Sequence, residues 1–188
     1  MFDLGGVLVE LDPLWPARLG LDPDAVNAWC AASPELQAFE CGELSESRFL
    51  RALGAAFRCS DMPALRQAFA GHVRGLYPGA TELLAELGPE RTAALSNTNR
   101  IHWAVFDPER ALRSGLGVTL ASHHLGARKP EPTAFSRASA MLGTSDVLFL
   151  DDTLRNVDAA RAFGWRAEQV VGPEQAREVV RATLLSLR

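Results

Sequence analysis

From Arg91 onward, short apolar runs alternate with stretches of helical periodicity, and this alternation limits the fold more than any other feature of the chain. Thr92–Leu95, Val118–Ala121, Val147–Leu150 and Ala167–Val171 read as strands. Asn99–Phe106, Glu131–Leu142, Arg155–Phe163 and Glu174–Leu187 carry apolar residues three and four positions apart and read as helices. Strands alternating with helices predict an α/β fold, a Rossmann-like parallel sheet flanked by helices. In such a sheet ligands collect at the carboxyl ends of the strands.

Residues 12–76 break the alternation. Pro23–Ala31, Glu46–Phe57 and Pro63–Val73 have helical patterns with no convincing strand among them, so an inserted helical cap is expected there. Gly75, Pro78 and Gly79 punctuate its end, as a connection back to the core would. The expected division is a core of residues 1–11 and 77–188 and a cap of residues 12–76. A chain of 188 residues can bury a core of that kind with a modest insertion, whereas two full-sized domains would be cramped. Only Met1 and Phe2 precede the first motif, while a buried strand takes about five or six residues, so the first strand is expected to lack an N-terminal piece.

Composition narrows the classes of function. A chain with 47% hydrophobic and 22% charged residues has the profile of a soluble globular protein. The formal charge of −4 and pI near 5.6 argue against a nucleic-acid partner, which needs clustered Lys and Arg, and leave a small anionic ligand as the easy fit. No run approaches the ~18 apolar residues of a membrane span and no signal segment opens the chain, so a cytoplasmic location is expected. Cys30, Cys41 and Cys59 are odd in number and lack metal-ligand spacing, and are expected to be reduced thiols. No heptad pattern indicates an oligomeric state.

Four segments at or just beyond predicted strand ends carry the chemistry. In Phe2-Asp3-Leu4-Gly5-Gly6 a carboxylate follows an apolar start, and two glycines let the backbone turn tightly; such an aspartate can attack phosphorus. Leu95-Ser96-Asn97-Thr98-Asn99 offers hydroxyl, amide and helix N–H groups to phosphate oxygens, although Asn97 or Thr98 would serve equally as a plain helix cap. In Gly126-Ala127-Arg128-Lys129-Pro130, a lysine ahead of a proline-started helix can set a compact positive charge against phosphate and carboxylate, with Arg128 the weaker candidate. In Val147–Asp152, followed by Thr153 and Asn156, the adjacent Asp151 and Asp152 end a buried strand and repel each other unless a cation is present. Magnesium, which takes one or two carboxylates plus phosphate and water, would supply that cation. A helix cap with an acidic first turn is the plainer account.

Taken in order, Asp3, Ser96, Lys129 and the Asp151–Asp152 pair resemble the four motifs of the haloacid dehalogenase (HAD) superfamily, across essentially the whole core. The strings FDLGGVL, LSNTN, LGARKPEP and FLDD with Asn156 resemble the subgroup of bacterial glucose-1-phosphate phosphatases and the N-terminal phosphatase domains of epoxide hydrolases. The resemblance implies an HAD-like core, with the inserted segment as that family's helical cap, and a magnesium-dependent phosphatase of small phosphorylated metabolites, a sugar phosphate among them. By it Asp3 is nucleophile and metal ligand, the Gly5 carbonyl a further ligand, Ser96 and Asn97 phosphoryl-binding, and Lys129 the neutralising cation. Asp152 ligates Mg²⁺ directly, with Asp151 and Asn156 close by.

Gly5 stands where most family phosphatases carry a carboxylate that acts as general acid and base. Losing such a group costs about 10² to 10⁴ in rate, so a substrate with a fairly acidic leaving group, such as an anomeric sugar hydroxyl, is expected. Trp15, Trp29, Phe39 and Arg48 are candidate ligand contacts from the cap. His102 is expected as an exposed helical histidine near the site, and His123 with His124 is discounted as a metal pair because neighbours on a strand face opposite ways. Two other readings remain open: a 2-haloacid dehalogenase using Asp3, and a non-catalytic phosphate binder silenced at Gly5.

Overall fold

The computed structural model describes residues 1–105, 112 and 115–186; Phe106 and Leu187, the expected last residues of two helices, lie outside them. Among the described residues the strands are Val9–Leu11 (β1), Val73–Leu76 (β2), Ala93–Ser96 (β3), Val118–Ala121 (β4), Leu148–Asp151 (β5) and Arg166–Gln169 (β6). β3 pairs in parallel with β4, and β5 with β6. Residues 1–3 join the two pairs, because Phe2 bridges in parallel to Ala94 on one side and to Leu150 on the other. The Phe2 amide donates to the Ala93 carbonyl at 2.8 Å and the Asp3 amide to the Leu150 carbonyl at 2.7 Å. The order is therefore β4, β3, residues 1–3, β5, β6, all parallel. The chain is an α/β protein with a Rossmann-like sheet, and each expected strand falls within a residue or two of an observed one.

Both faces of this sheet are covered, which is why its inner strands β3 and β5 read as near-continuous apolar runs. Phe2, Ala94 and Leu150 point into one cluster with Val7, Leu84 and Val180. Their chain neighbours Leu95 and Phe149 point into the other, with Leu120, Phe135, Val157 and Trp165, as the two-residue period of a strand requires. Helices Ala80–Leu87 and Gly172–Ser186 pack on the first face, and Pro132–Leu142 and Leu154–Phe163 on the second.

The segment between β1 and β2 holds helices Pro23–Ala32 (α1), Pro34–Glu40 (α2), Glu46–Ala56 (α3) and Met62–Ala70 (α4). Each begins at a residue whose side chain accepts an otherwise unpaired backbone amide: Asp22 from Asp24, Ser33 from Leu36, Ser45 from Arg48 and Asp61 from Ala64. A cap of this type is worth about 1 kcal/mol, and proline in the first turn of α1, α2 and α4 fixes the backbone where no amide partner is needed. The helices close on a third cluster of Trp15, Val26, Phe39, Phe49, Leu65 and Phe69, into which the core helix Arg100–Val105 inserts Ile101.

Two expectations for this segment need correction. α2 was not foreseen as a helix, since it spans seven residues and leaves only Phe39 buried. The segment also contains a strand: β2 pairs antiparallel with β1, from Val9 opposite Leu76 to Leu11 opposite Val73. Arg74 and Gly75 interrupt its apolar pattern, so only its distant partner identifies it as a strand. The expected helix Pro63–Val73 stops at Ala70, where Gly71 closes it by donating its amide to the Gln67 carbonyl.

His102 ties the helical cluster to the sheet, and it is half-buried rather than exposed as expected. Nε2 lies 3.0 Å from the Phe69 carbonyl and Nδ1 lies 3.2 Å from the Asn99 amide nitrogen. A carbonyl only accepts, so Nε2 carries the proton and Nδ1 accepts from Asn99; the ring is neutral. It stacks on Phe69 with centroids 4.3 Å apart. Burial, helped by the nearby charge of His72, lowers its pKa from 6.5 to about 3. Between these values the unfolded chain holds a proton that the folded chain refuses. Stability from this group is thus full above about pH 6.5 and lost as pH falls toward 3, by up to about 1.4 kcal/mol per pH unit. Thermal melts from pH 7 to pH 4.5 should show the melting temperature of the His102→Gln variant falling less steeply than that of the wild type. Equal slopes would remove this histidine from the acid response.

Candidate active site

Asp3 ends the central run of the sheet and Asp151 ends the strand beside it, so parallel pairing sets the two carboxylates at one edge. Just after Asp3 the chain reverses tightly, with the Leu4 carbonyl accepting amides from Val7, Leu8 and Val9. Gly6 makes this possible at φ +72°, where a side chain is strained. It is also excluded sterically from being anything larger, because a Cβ there would lie 2.3 Å from Asp152 Oδ2. The first motif therefore presses directly on the fourth.

Lys129 is 1% exposed and lies among these acids. Its Nζ is 2.9 Å from Asp3 Oδ1 and 2.6 Å from Asp151 Oδ2, and 5.1 Å from the centroid of the Phe149 ring. Asn97 braces it from the second motif: its Nδ2 donates to the Lys129 carbonyl and its Oδ1 accepts the Lys129 amide, both at 2.8 Å. Asp151 is held further by the Thr153 amide at 2.9 Å and Asn156 Nδ2 at 3.0 Å. Asp3 Oδ1 also accepts the Leu4 amide at 2.7 Å. Asp152 is half-buried and accepts from the Thr153 hydroxyl at 3.2 Å.

The balance of charge is negative. One oxygen from each of Asp3, Asp151 and Asp152 falls within 4.8 Å of the others, with the single Lys129 ammonium beside them. Burial first, then repulsion from Asp151 and Asp152, drive the Asp3 carboxyl up to about 7 against the pull of Lys129. Burial and Asp151 likewise raise Asp152. Burial opposes the charge on Lys129, but Asp3 and Asp151 outweigh it and push its pKa up. A set of hard oxygen donors with surplus negative charge fits a divalent cation such as Mg²⁺, and Asp3 and Asp152 are the carboxylates least committed to other partners.

Ser96, at the end of β3, lines with Gly5 and Asn97 a cavity of about 160 Å³ between sheet and helices. Trp15, Phe69, His102 and Trp103 form part of its wall. Of the four expected cap contacts only Trp15 reaches this cavity: Trp29 meets Phe57 edge-on, Phe39 stacks on Phe49 at 4.7 Å and Arg48 is exposed. Arg128 turns away from the acids to Glu40, 2.9 Å from its Oε2. Glu40, Asn27, Cys30 and His72 line the cavity without having been foreseen, as they belong to no motif and meet only through the packing of α1, α2 and β2.

His123 and His124 lie on the helical turn Ser122–Leu125, not on a strand, and their rings approach to 4.1 Å instead of facing apart as expected. They still form no part of a three-ligand group among the described residues. All three cysteines are free, and burial, with Glu40 adding, pushes the Cys30 thiol up to about 12.

A model of the haloacid dehalogenase-like hydrolases matches residues 1–164, and the chain belongs to that family. It is 39% identical over 79 residues to Phosphatase MT3486 of Mycobacterium tuberculosis (strain CDC 1551 / Oshkosh), covering 41% of this chain and 36% of that protein. Against the (S)-2-haloacid dehalogenase of Xanthobacter autotrophicus it is 28% identical over 116 residues, 59% of this chain and 46% of that one. The chain thus spans less than half the length of these curated relatives. Among solved structures, a HAD-like family hydrolase from Porphyromonas gingivalis superposes with a TM-score of 0.74 at 25% identity, covering 100% of this chain and 96% of that one. A HAD family enzyme from Bacteroides thetaiotaomicron, in complex with magnesium and inorganic phosphate, gives 0.74 at 22% identity, covering 89% and 91%, and shares the fold.

Replacing Gly6 by alanine combines left-handed strain of about 1–2 kcal/mol with a clash against Asp152. A lower urea midpoint is expected for Gly6→Ala, whereas an unchanged midpoint would mean that the turn and Asp152 relax freely.

Proposed function

We propose that this hydrolase is a magnesium-dependent phosphatase of a small phosphorylated metabolite, with Asp3 as the nucleophile. The observation that carries the reading is the buried Lys129 ammonium set between Asp3 and Asp151, with Asp152 alongside and negative charge in excess. The Mycobacterium relative named a phosphatase and the Bacteroides structure holding magnesium and phosphate support it.

In this reading an Asp3 oxygen attacks phosphorus as the bond to the ester oxygen breaks, and the leaving alcohol takes its proton from water. A water molecule then attacks the aspartyl-phosphate at phosphorus, restoring the carboxylate and releasing inorganic phosphate. Lys129 fixes the Asp3 carboxylate and offsets charge on the phosphoryl group, Asn97 keeps Lys129 in register, and Ser96 holds a phosphoryl oxygen. Asp3, Asp152 and the Gly5 carbonyl would hold Mg²⁺, with Asp151 and Asn156 close by; when bound, the ion neutralises phosphate charge. Residues 12–76 act as a cap that excludes water and reads the leaving group.

Gly5 brings no acid, and a Cβ there would lie 2.9 Å from Leu11 Cδ1, so Leu11 fills the place next to it. A substrate whose leaving group departs with little protonation, an anomeric sugar phosphate for example, suits such a site. The similarity to the Xanthobacter dehalogenase favours a second reading, in which Asp3 displaces halide from carbon. The crowd of carboxylates repels a haloacid anion unless a cation intervenes, which places this reading second.

A panel of phosphate esters assayed with and without Mg²⁺ should show metal-dependent turnover that Asp3→Asn lowers on the order of 10³-fold or more. Metal-independent halide release from a 2-haloacid would overturn the phosphatase reading. Binding should also depend on pH. Without metal the folded Asp3 carboxyl holds its proton up to about 7, so the site loses stability as pH rises from about 4 to 7, and below about pH 7 protons compete with the ion. Mg²⁺ at 100 times its Kd adds about 2.7 kcal/mol, seen in full as a thermal shift at pH 8 and reduced at pH 5.5. A shift of the same size at both values would exclude Asp3 as a ligand.

A further inference from the structure

Glu40 brings a carboxylate into the cavity that holds Gly5 and Ser96, and among the described residues it is the one carboxylate in that lining. It ends α2, and its side chain is 13% exposed. Oε2 accepts the Arg128 Nε–H at 2.9 Å, while among the described residues Oε1 has no hydrogen-bond partner. A buried carboxylate is costly unless paired, and Arg128 lowers that cost without using the second oxygen.

The other polar groups of the lining are largely engaged. His102 and His72 bond to the carbonyls of Phe69 and Asp12, Asn27 donates to the Pro13 carbonyl, and Asn97 braces Lys129. The remaining wall is mainly apolar, with Trp15, Leu36, Phe69 and Trp103. A ligand portion filling this space meets mainly carbon surface, the hydroxyls of Ser96 and Thr98, the Cys30 thiol and one anionic acceptor. Such an acceptor takes a hydrogen bond from a neutral donor and repels a second anion.

We propose that Glu40 determines specificity by accepting a hydrogen bond from a hydroxyl of the leaving group, so that the enzyme prefers phosphate monoesters of small polyhydroxylated alcohols to those of plain alcohols. This rests on the phosphatase reading above. Arg128 is the positioning residue that holds the carboxylate in the cavity. A hydroxyl on the carbon skeleton satisfies Oε1, whereas an apolar skeleton leaves it buried against hydrocarbon.

The test compares glycerol 3-phosphate with n-propyl phosphate, which has the same carbon chain without hydroxyls, and uses p-nitrophenyl phosphate to report the basic chemistry, all with Mg²⁺. Wild-type kcat/KM should favour glycerol 3-phosphate by about tenfold or more. In Glu40→Gln that preference should shrink through a fall on glycerol 3-phosphate alone, with n-propyl and p-nitrophenyl phosphate within about twofold of wild type. Equal falls on all three substrates would make Glu40 a purely structural latch and overturn the proposal. So would wild-type enzyme that turns over p-nitrophenyl phosphate yet treats the two alkyl esters alike, a result that needs no variant to fold. If p-nitrophenyl phosphate itself gives no Mg²⁺-dependent turnover, the phosphatase reading falls, and this assignment with it.

Discussion

A lysine ammonium enclosed in protein, bonded at once to the ends of the first and fourth motifs, is the interaction on which the rest of the candidate site depends. Removing an ammonium from water costs several kcal/mol unless its partners are charged and close. Asp3 and Asp151 meet that need because they end neighbouring parallel strands, and parallel pairing places strand ends on a common edge. Asn97, just past the end of β3 on the other side, completes the frame by bonding the Lys129 backbone in both directions. Four chain segments far apart in sequence are thereby held to one geometry, and the surplus of carboxylates over ammonium leaves the place suited to a divalent cation.

The helical segment contributes the environment. It has an apolar cluster that Ile101 from the core also enters, and His102 bonds to the Phe69 carbonyl across the junction. The β1–β2 pair carries the chain out of the core and back at adjacent points. Glu40 and Arg128 add a charged contact over the candidate site. Together these contacts enclose a small space with a mainly apolar wall, which is the setting of the Glu40 proposal above.

Much of the core was legible because each signal was local. Strands buried on both faces show as apolar runs, and the acids at their ends stand out because charge there is expensive. The start of α1 was equally readable, because Asp22 stands just before Pro23. Where the reading failed, the cause was non-local. β2 is a strand only by virtue of β1, some sixty residues away, and the Ser122–Leu125 turn is helical where the two adjacent histidines were expected on a strand. Of the proposed cap contacts, Trp15 alone reaches the cavity, since aromatic residues on short helices pack against one another first.

The sequence by itself determined the alternation of strands and helices from β3 onward and the motif residues at the strand ends, because backbone periodicity and the cost of buried charge act over a few neighbouring residues. Tertiary structure alone decided which side chains surround the space beyond those motifs. Glu40, Asn27, His72 and His102 come from four separate elements or connections, and Asn97 turns out to brace Lys129. Such partnerships depend on how helices cross and where two carboxylates can share one counter-charge, and those are properties of packing in three dimensions that no local pattern encodes.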